Sequence, residues 1–479
     1  MKFATTLIPF VLMASSLLIA DAQARPGETE IMFAPETGDA VEAFEGSFQV
    51  PENRTNPDSR TLTLKYVRFA ATGDAPGAPI IYLAGGPGGS GIQTAKHARF
   101  PLFMAMREFG DVIAFDQRGT GASNDLPNCT SSQHVSATEP TSDADVFAKE
   151  RAAFAECLEY WASEGVDVRG YTTTESVADL DDLRQHLGAD QVDLWGISYG
   201  SHLSLAALQQ IDDRIGRVVM TAVEGLDQTV KQPARGDQYF DRLQAAIDTD
   251  PTAKAKYPNV KDLIARVLSQ LGDTPLQLEV PTRDGGSAPY LLQQRDLQKF
   301  TSALVADPAR VVWILEVYRG LDEGDTEPLI ALLQRAIDPA DTAISFRPMT
   351  ALMDVASGSG PDRRAMITEQ AETALLGPYM NFSMHLETVD PTLDLGEDFR
   401  RPPVSDVPTL VLSGTLDGRT YPNSGQEATD GLSNRQTVIV ENAGHNLFML
   451  SPEVTETIQD FMRGQVVDGR TLIVDLPEF

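Results

Sequence analysis

The apolar positions change rhythm along this chain. From Val41 to Phe69 they alternate with polar ones, as in Phe44-Glu45-Gly46-Ser47-Phe48-Gln49-Val50 and Thr61-Leu62-Thr63-Leu64-Lys65-Tyr66-Val67. A period of two predicts an antiparallel hairpin at the start of a sheet. Short, nearly unbroken apolar runs follow at 79–83, 111–115, 192–195, 218–223, 409–412 and 437–440. Strands covered on both faces read this way. Between them Val177, Leu180, Leu183 and Leu187 fall at helical spacing within Ser176 to Leu187, and Tyr199 to Gln210 reads as a second helix. The alternation predicts an α/β fold, a mostly parallel sheet flanked by crossover helices.

The regularity breaks between Glu224 and about Asp406. Helix-like pieces appear there at 238–247, 260–271, 294–305, 310–319, 328–337 and 363–375, separated by Pro, Gly and Asp clusters. No low-complexity tether flanks the segment. The expectation is therefore a core of residues 25–224 and 406–479 with a helical cap of residues 225–405 inserted between two core strands. A chain of 479 residues has room for both.

Residues 1–24 read as a secretory signal peptide: Lys2 gives a positive start, Thr6 to Ala20 is mostly apolar, and Ala20-Asp21-Ala22 or Ala22-Gln23-Ala24 offers a cleavage site. The apolar run falls short of the roughly 20 residues of a spanning helix. Export to a periplasm or the extracellular medium is expected, without stable membrane association. The formal net charge of −31 repels nucleic acid and anionic membrane surfaces, so neither is an expected partner. Cys129 and Cys157 are the only cysteines. In an oxidising compartment they can form one disulfide; two buried thiols are the other reading. Neither has the neighbours of a zinc site, and no metal is expected.

The chemistry is carried by three separated stretches. Leu194-Trp195-Gly196-Ile197-Ser198-Tyr199-Gly200 sets a Gly-x-Ser-x-Gly between an apolar strand and a helix, the context in which a tight turn presents a serine hydroxyl at a sheet edge. A serine at its free pKa is a poor nucleophile and needs a base. Thr437 to Val440 runs into Glu441-Asn442-Ala443-Gly444-His445, which supplies the base, and Thr409 to Leu412 runs into Ser413-Gly414-Thr415-Leu416-Asp417, which supplies the acid that orients it. Asp430 and Asp406 are the fallback acids. His202, one turn into the elbow helix, reads as a packing residue. Ala84-Gly85-Gly86-Pro87-Gly88-Gly89-Ser90-Gly91 lets backbone N–H groups approach a reacting carbonyl, so Gly86 and Tyr199 are the expected oxyanion donors. Asp116 and Arg118, in Asp116-Gln117-Arg118-Gly119, come too early for the acid and read as a structural salt bridge and turn.

Together, Gly85 to Ser90, Asp116 to Gly119, Gly196 to Gly200, Asp417 and Gly444-His445 resemble the proline iminopeptidase and tripeptidyl aminopeptidase family of α/β-hydrolases, across roughly Phe44 to Met462. The resemblance implies a serine aminopeptidase that releases N-terminal residues from short peptides through an acyl-enzyme, under a helical lid and without a cofactor. It also implies acidic side chains near the lid that hold the substrate ammonium, for which Glu224 and Asp354 are the candidates; a turn carboxylate and a helix cap are their alternative roles. The sequence departs from the common pattern at Ala84, where many relatives have His, and at Asn446, where Gly is frequent. The same machinery fits a carboxylesterase or a small amide or lactone hydrolase. A non-catalytic binding protein on the same scaffold is the alternative of another class.

Overall fold

The nearly unbroken apolar runs do form the middle of a sheet. The computed structural model describes residues 23–479 apart from 124–125, 283–284, 340–341 and 381, so the apolar run of the expected leader lies outside the described residues. In chain order the strands are β1 (Thr29–Phe33), β2 (Val41–Pro51), β3 (Thr61–Phe69), β4 (Ile80–Leu83), β5 (Val112–Asp116), β6 (Cys129–His134), β7 (Val192–Ile197), β8 (Ile215–Thr221), β9 (Leu276–Pro281), β10 (Ser287–Leu292), β11 (Ala343–Phe346), β12 (Thr409–Gly414), β13 (Arg435–Glu441) and β14 (Thr471–Ile473). One sheet has the order β1-β2-β3-β5-β4-β7-β8-β12-β13-β14. The expected hairpin is β2 and β3, antiparallel, with Phe48 opposite Leu64. From β5 to β14 every neighbouring pair runs parallel.

Burial on both faces explains the runs. In β4, β5, β7 and β12 every residue is buried. Alternate side chains feed two cores, as the pleat requires. Ile81, Leu83, Leu194 and Met220 face one. Ile80, Tyr82, Trp195 and Val219 face the other, where the Tyr82 and Trp195 rings meet edge to face at 4.7 Å. β7, which leads to Ser198, lies between β4 and β8 in the middle of the sheet.

Between β8 and β12 lie the helices Pro233–Ile247, Val260–Asp273, Gln294–Leu304, Pro308–Glu323, Glu327–Ala336 and Pro361–Ala371, each overlapping an expected piece. The first five share a separate core that includes Leu243, Ile264, Leu297, Ile314, Tyr318 and Leu333. Three features add to the expected mainly helical insertion. β9 and β10 form an antiparallel hairpin within it. A further helix, Pro348–Ser357, precedes Pro361–Ala371. β11 pairs with β6, which lies before the insertion in sequence and stands outside the main sheet. Short strands whose partners are distant in sequence leave little periodic signal.

Cys129 in β6 and Cys157 in the helix Asp143–Ser163 form a disulfide, Cα to Cα 5.7 Å, so the buried-thiol reading does not hold. A cross-link across a separation of 28 residues stabilises by about 3 kcal/mol. Among the described residues no helix is long and apolar enough to cross a membrane.

Candidate active site

Ser198 sits between the last residue of β7 and the first of the helix Tyr199–Gln210 with φ 56° and ψ −124°. A non-glycine residue held there costs on the order of 1–3 kcal/mol, which the surrounding sheet must enforce. The flanking glycines are steric necessities. A Cβ on Gly196 would collide with the Gly200 carbonyl oxygen, and one on Gly200 with the Leu83 carbonyl oxygen. On the glycine-rich loop, a Cβ at Gly85 would stand 2.9 Å from the Ile197 carbonyl oxygen and 3.0 Å from the Ser198 Cβ. That loop is therefore pressed against the serine, as the sequence anticipates.

Asp417 and His445 meet in loops that leave β12 and β13. The His445 Nδ1 lies 3.0 Å from Asp417 Oδ2. The other carboxylate oxygen accepts the Arg419 and Thr420 backbone N–H groups, each at 2.8 Å. Thr420 Oγ1 donates to Oδ2 at 2.6 Å and lies 3.1 Å from His445 Nδ1. Burial pushes the Asp417 carboxyl up, but the His445 ring and these hydrogen bonds outweigh it and hold the acid below its ordinary range. An acid kept ionised against one imidazole nitrogen fixes the tautomer and leaves the other nitrogen to face a reacting group. Ser198, His445, Gly85, Gly86 and Gly89 all line one cavity of about 800 Å³.

The other anticipated residues divide. Tyr199 heads the elbow helix; its ring is buried, with its hydroxyl 3.1 Å from Thr173 Oγ1. Gly86 lies on the cavity wall with φ 129°. His202 packs as expected, Nδ1 3.1 Å from the Gly225 carbonyl oxygen and Nε2 3.1 Å from Ser357 Oγ. Asp430 pairs with Arg435 at 3.3 Å and Asp406 is exposed, so neither fallback acid meets His445. Asp116 and Arg118 take the structural turn and salt-bridge roles anticipated for them, with separate partners. Asp116 accepts from Ser90 Oγ and from the Ile92 and Ala122 N–H groups, at 2.6, 3.0 and 2.7 Å. Arg118, fully buried, forks onto both oxygens of Asp179 at 2.6 Å.

Glu224 and Asp354 do not line the cavity beside Ser198. Glu224 is buried after β8 and forms an ion pair with Lys231; burial raises its carboxyl, and Lys231 with His202 brings it below the ordinary value. Asp354 is half-buried on the helix Pro348–Ser357, its carboxyl pushed up to about 8 by burial and then by the charge of Glu224.

Sequence reasoning missed Thr420 and the cap's grip on the site loops. An Asp followed by Thr three residues later is a local turn signal that could have revealed Thr420. The grip has no local signal. His445 N–H donates to the Ala306 carbonyl at 2.7 Å, Gly418 N–H to that of Val305 at 3.1 Å, and Thr350 Oγ1 to that of Pro87 at 2.9 Å. Asp307, at the head of the helix Pro308–Glu323, accepts the Asn446 backbone and side-chain N–H groups, both at 3.0 Å.

A family described as the alpha/beta hydrolase fold matches residues 78–276. The chain is 28% identical over 251 residues to a tripeptidyl aminopeptidase of Streptomyces coelicolor, covering 49% of this chain and 43% of that protein. It is 30% identical over 182 residues to the serine protease Hip1 of Mycobacterium tuberculosis, 36% of this chain and 35% of that one. A probable proline iminopeptidase of Leptolyngbya boryana is 26% identical over 160 residues, 33% of this chain and 36% of that one. The matched part thus spans less than half the length of each of these relatives. With its parallel sheet and this match, the chain has the α/β-hydrolase fold and is similar to tripeptidyl aminopeptidases and proline iminopeptidases over 33% to 49% of its length.

Proposed function

We propose that this chain is an exported serine aminopeptidase that releases N-terminal residues from short peptides. The observation that carries the reading is the Asp417–His445 pair on the cavity that also exposes Ser198 and the glycine-rich loop. Ser198 attacks the carbonyl as His445 takes its proton. Gly86 and Tyr199 N–H groups receive the oxyanion, and His445 returns the proton to the leaving amine. Water then hydrolyses the acyl-enzyme by the same route, with no cofactor in the cycle. The cap, bonded to each site loop, limits the substrate to short chains and keeps bulk water from the acyl-enzyme.

Asp354 and Glu224, on the β8 side of the nucleophile, are the proposed anchors of the substrate ammonium. The disulfide suits an oxidising compartment and supports export. A small ester or amide is the second reading, favoured by one observation: Lys231 already neutralises Glu224. Rates on N-terminally free and N-acetylated peptide anilides, beside simple acyl esters, separate the two. Acetylation is expected to lower kcat/KM by at least about tenfold, the loss of one charge-assisted contact; equal rates would overturn the aminopeptidase reading.

A further inference from the structure

The cavity beside Ser198 is charged against the trend of the molecule. The chain carries 69 acidic against 38 Lys and Arg residues. Yet the described lining of this cavity presents Arg99, Arg310 and Arg419 and a single carboxylate besides the polar groups, Asp307. Asp307 spends both oxygens on Asn446, and so is turned away from the guanidinium of Arg310 three residues on. Arg310 is exposed and has no side-chain hydrogen bond or ion pair among the described residues. Arg99 is held in place rather than neutralised. It donates to the Tyr82 hydroxyl and, at 3.4 Å, to Asn446 Oδ1, and its guanidinium stands 5.3 Å from the Phe448 ring centre. Each terminal nitrogen uses one N–H in these contacts, so the guanidinium keeps further N–H groups, and its charge, for an anion.

The two other charged neighbours fall elsewhere. Arg419, exposed and two residues after Asp417, adds its positive charge on the β12 side of the cavity. His97 pairs with Glu36 at 2.7 Å.

Sheet order gives the cavity a direction. Glu224 follows β8 on one side of β7, and Arg99 follows β4 on the other. The general acid must reach the leaving atom. Asn446, next to that acid, touches both Arg99 and Asp307, so the arginine wall flanks the leaving group. We propose that Arg99 and Arg310 form a subsite for a carboxylate carried on the leaving-group side of the substrate. Resting on the aminopeptidase reading, this subsite selects peptides whose free C-terminus or acidic side chain lies just beyond the cleaved bond, held at the amine on the β8 side and at the carboxylate on the β4 side. A substrate gripped at both ends is necessarily short.

The test compares kcat/KM within matched sets on the full mature protein. One set is a short N-terminally free peptide as its C-terminal carboxylate, as its amide, and as an amide with Asp after the cleaved bond. The other is 4-acetoxybenzoate against its methyl ester, which carries the same question without any amine. The carboxylate form is expected to exceed its neutral partner by at least about tenfold in both sets. In Arg310→Gln that ratio should fall towards one, and in Arg310→Glu it should invert. The exposure and lack of partners of Arg310 keep both variants foldable, and the neutral partner corrects for any general loss. Raising the salt concentration should shrink the wild-type ratio. Preference for the C-terminal carboxylate or for the Asp side chain identifies the source of the anion. A preference confined to the acetoxybenzoates, with no peptide cleaved, supports the subsite while sinking the aminopeptidase reading. A wild-type ratio near one, or a ratio unchanged in Arg310→Gln, overturns the subsite.

Discussion

Asp116, at the end of β5, and Asp417, in the loop after β12, stand at the same edge of one sheet and are both buried. Each accepts two backbone N–H groups and a neighbouring hydroxyl. They differ in what completes the shell. Asp417 faces the His445 imidazole, and its carboxyl is held low; Asp116 faces none, and burial drives its carboxyl up. Position at a strand end therefore makes a carboxylate structural unless a titratable partner is brought to it. In this chain the partner arrives from the next parallel strand, and the cap holds it there through Ala306 and Asp307.

The comparison breaks most visibly in catalysis. Asp417→Asn should lower kcat by about 10⁴-fold with the protein still folded, because the imidazole loses its tautomer. Steady-state hydrolysis of an aryl ester together with a circular dichroism melt checks both halves. Arg118→Met makes the opposite prediction. Removing a buried cation leaves Asp179 with Arg54 as its ion-pair partner and strands the Glu52 and Gly170 carbonyls that Arg118 also binds, so urea unfolding should show a loss of about 3–5 kcal/mol, with kcat per folded molecule within tenfold of wild type. Asp116→Asn, which replaces one of the two accepting oxygens by an NH2 group and so sets a donor against a donor, should cost about 1–3 kcal/mol of stability and again leave kcat within tenfold. Were it to match Asp417→Asn in kcat, the distinction between the two acids would be lost.

A pH-dependent effect concerns Asp354. Its carboxyl titrates near 8 in the folded chain and near 3.8 when unfolded. Between those values the folded chain binds the extra proton, so this residue makes stability fall as pH rises. Melting temperatures of wild type and Asp354→Asn across pH 4 to 9 should diverge in that direction, the variant gaining relative to wild type towards pH 8; parallel curves would contradict it.

What the sequence made legible follows from how the residues are buried. Strands such as Val192–Ile197, enclosed on both faces, have no choice but to be apolar, and the steric demands of Gly196 and Gly200 mark the elbow in the chain itself. Asp417 could be placed because it follows such a strand, and His445 because it follows the apolar run of β13, which is only partly buried. The pairing of β6 with β11, the bond from Asp307 to Asn446 and the arginine wall join positions far apart along the chain, and no local spacing encodes them. Asp116 and Arg118, two residues apart, could be read as structural, but their separate partners, Ser90 and Asp179, could not.

The central claim is that Ser198, His445 and Asp417 act as one unit. The most direct measurement is the rate at which a fluorophosphonate labels the protein, with the modified residue located by mass spectrometry, in wild type and in His445→Ala. The account predicts that Ser198 alone is labelled in wild type and that the rate falls by at least about 10³-fold without the imidazole. Labelling at another residue, or at Ser198 with equal speed in both proteins, would contradict it.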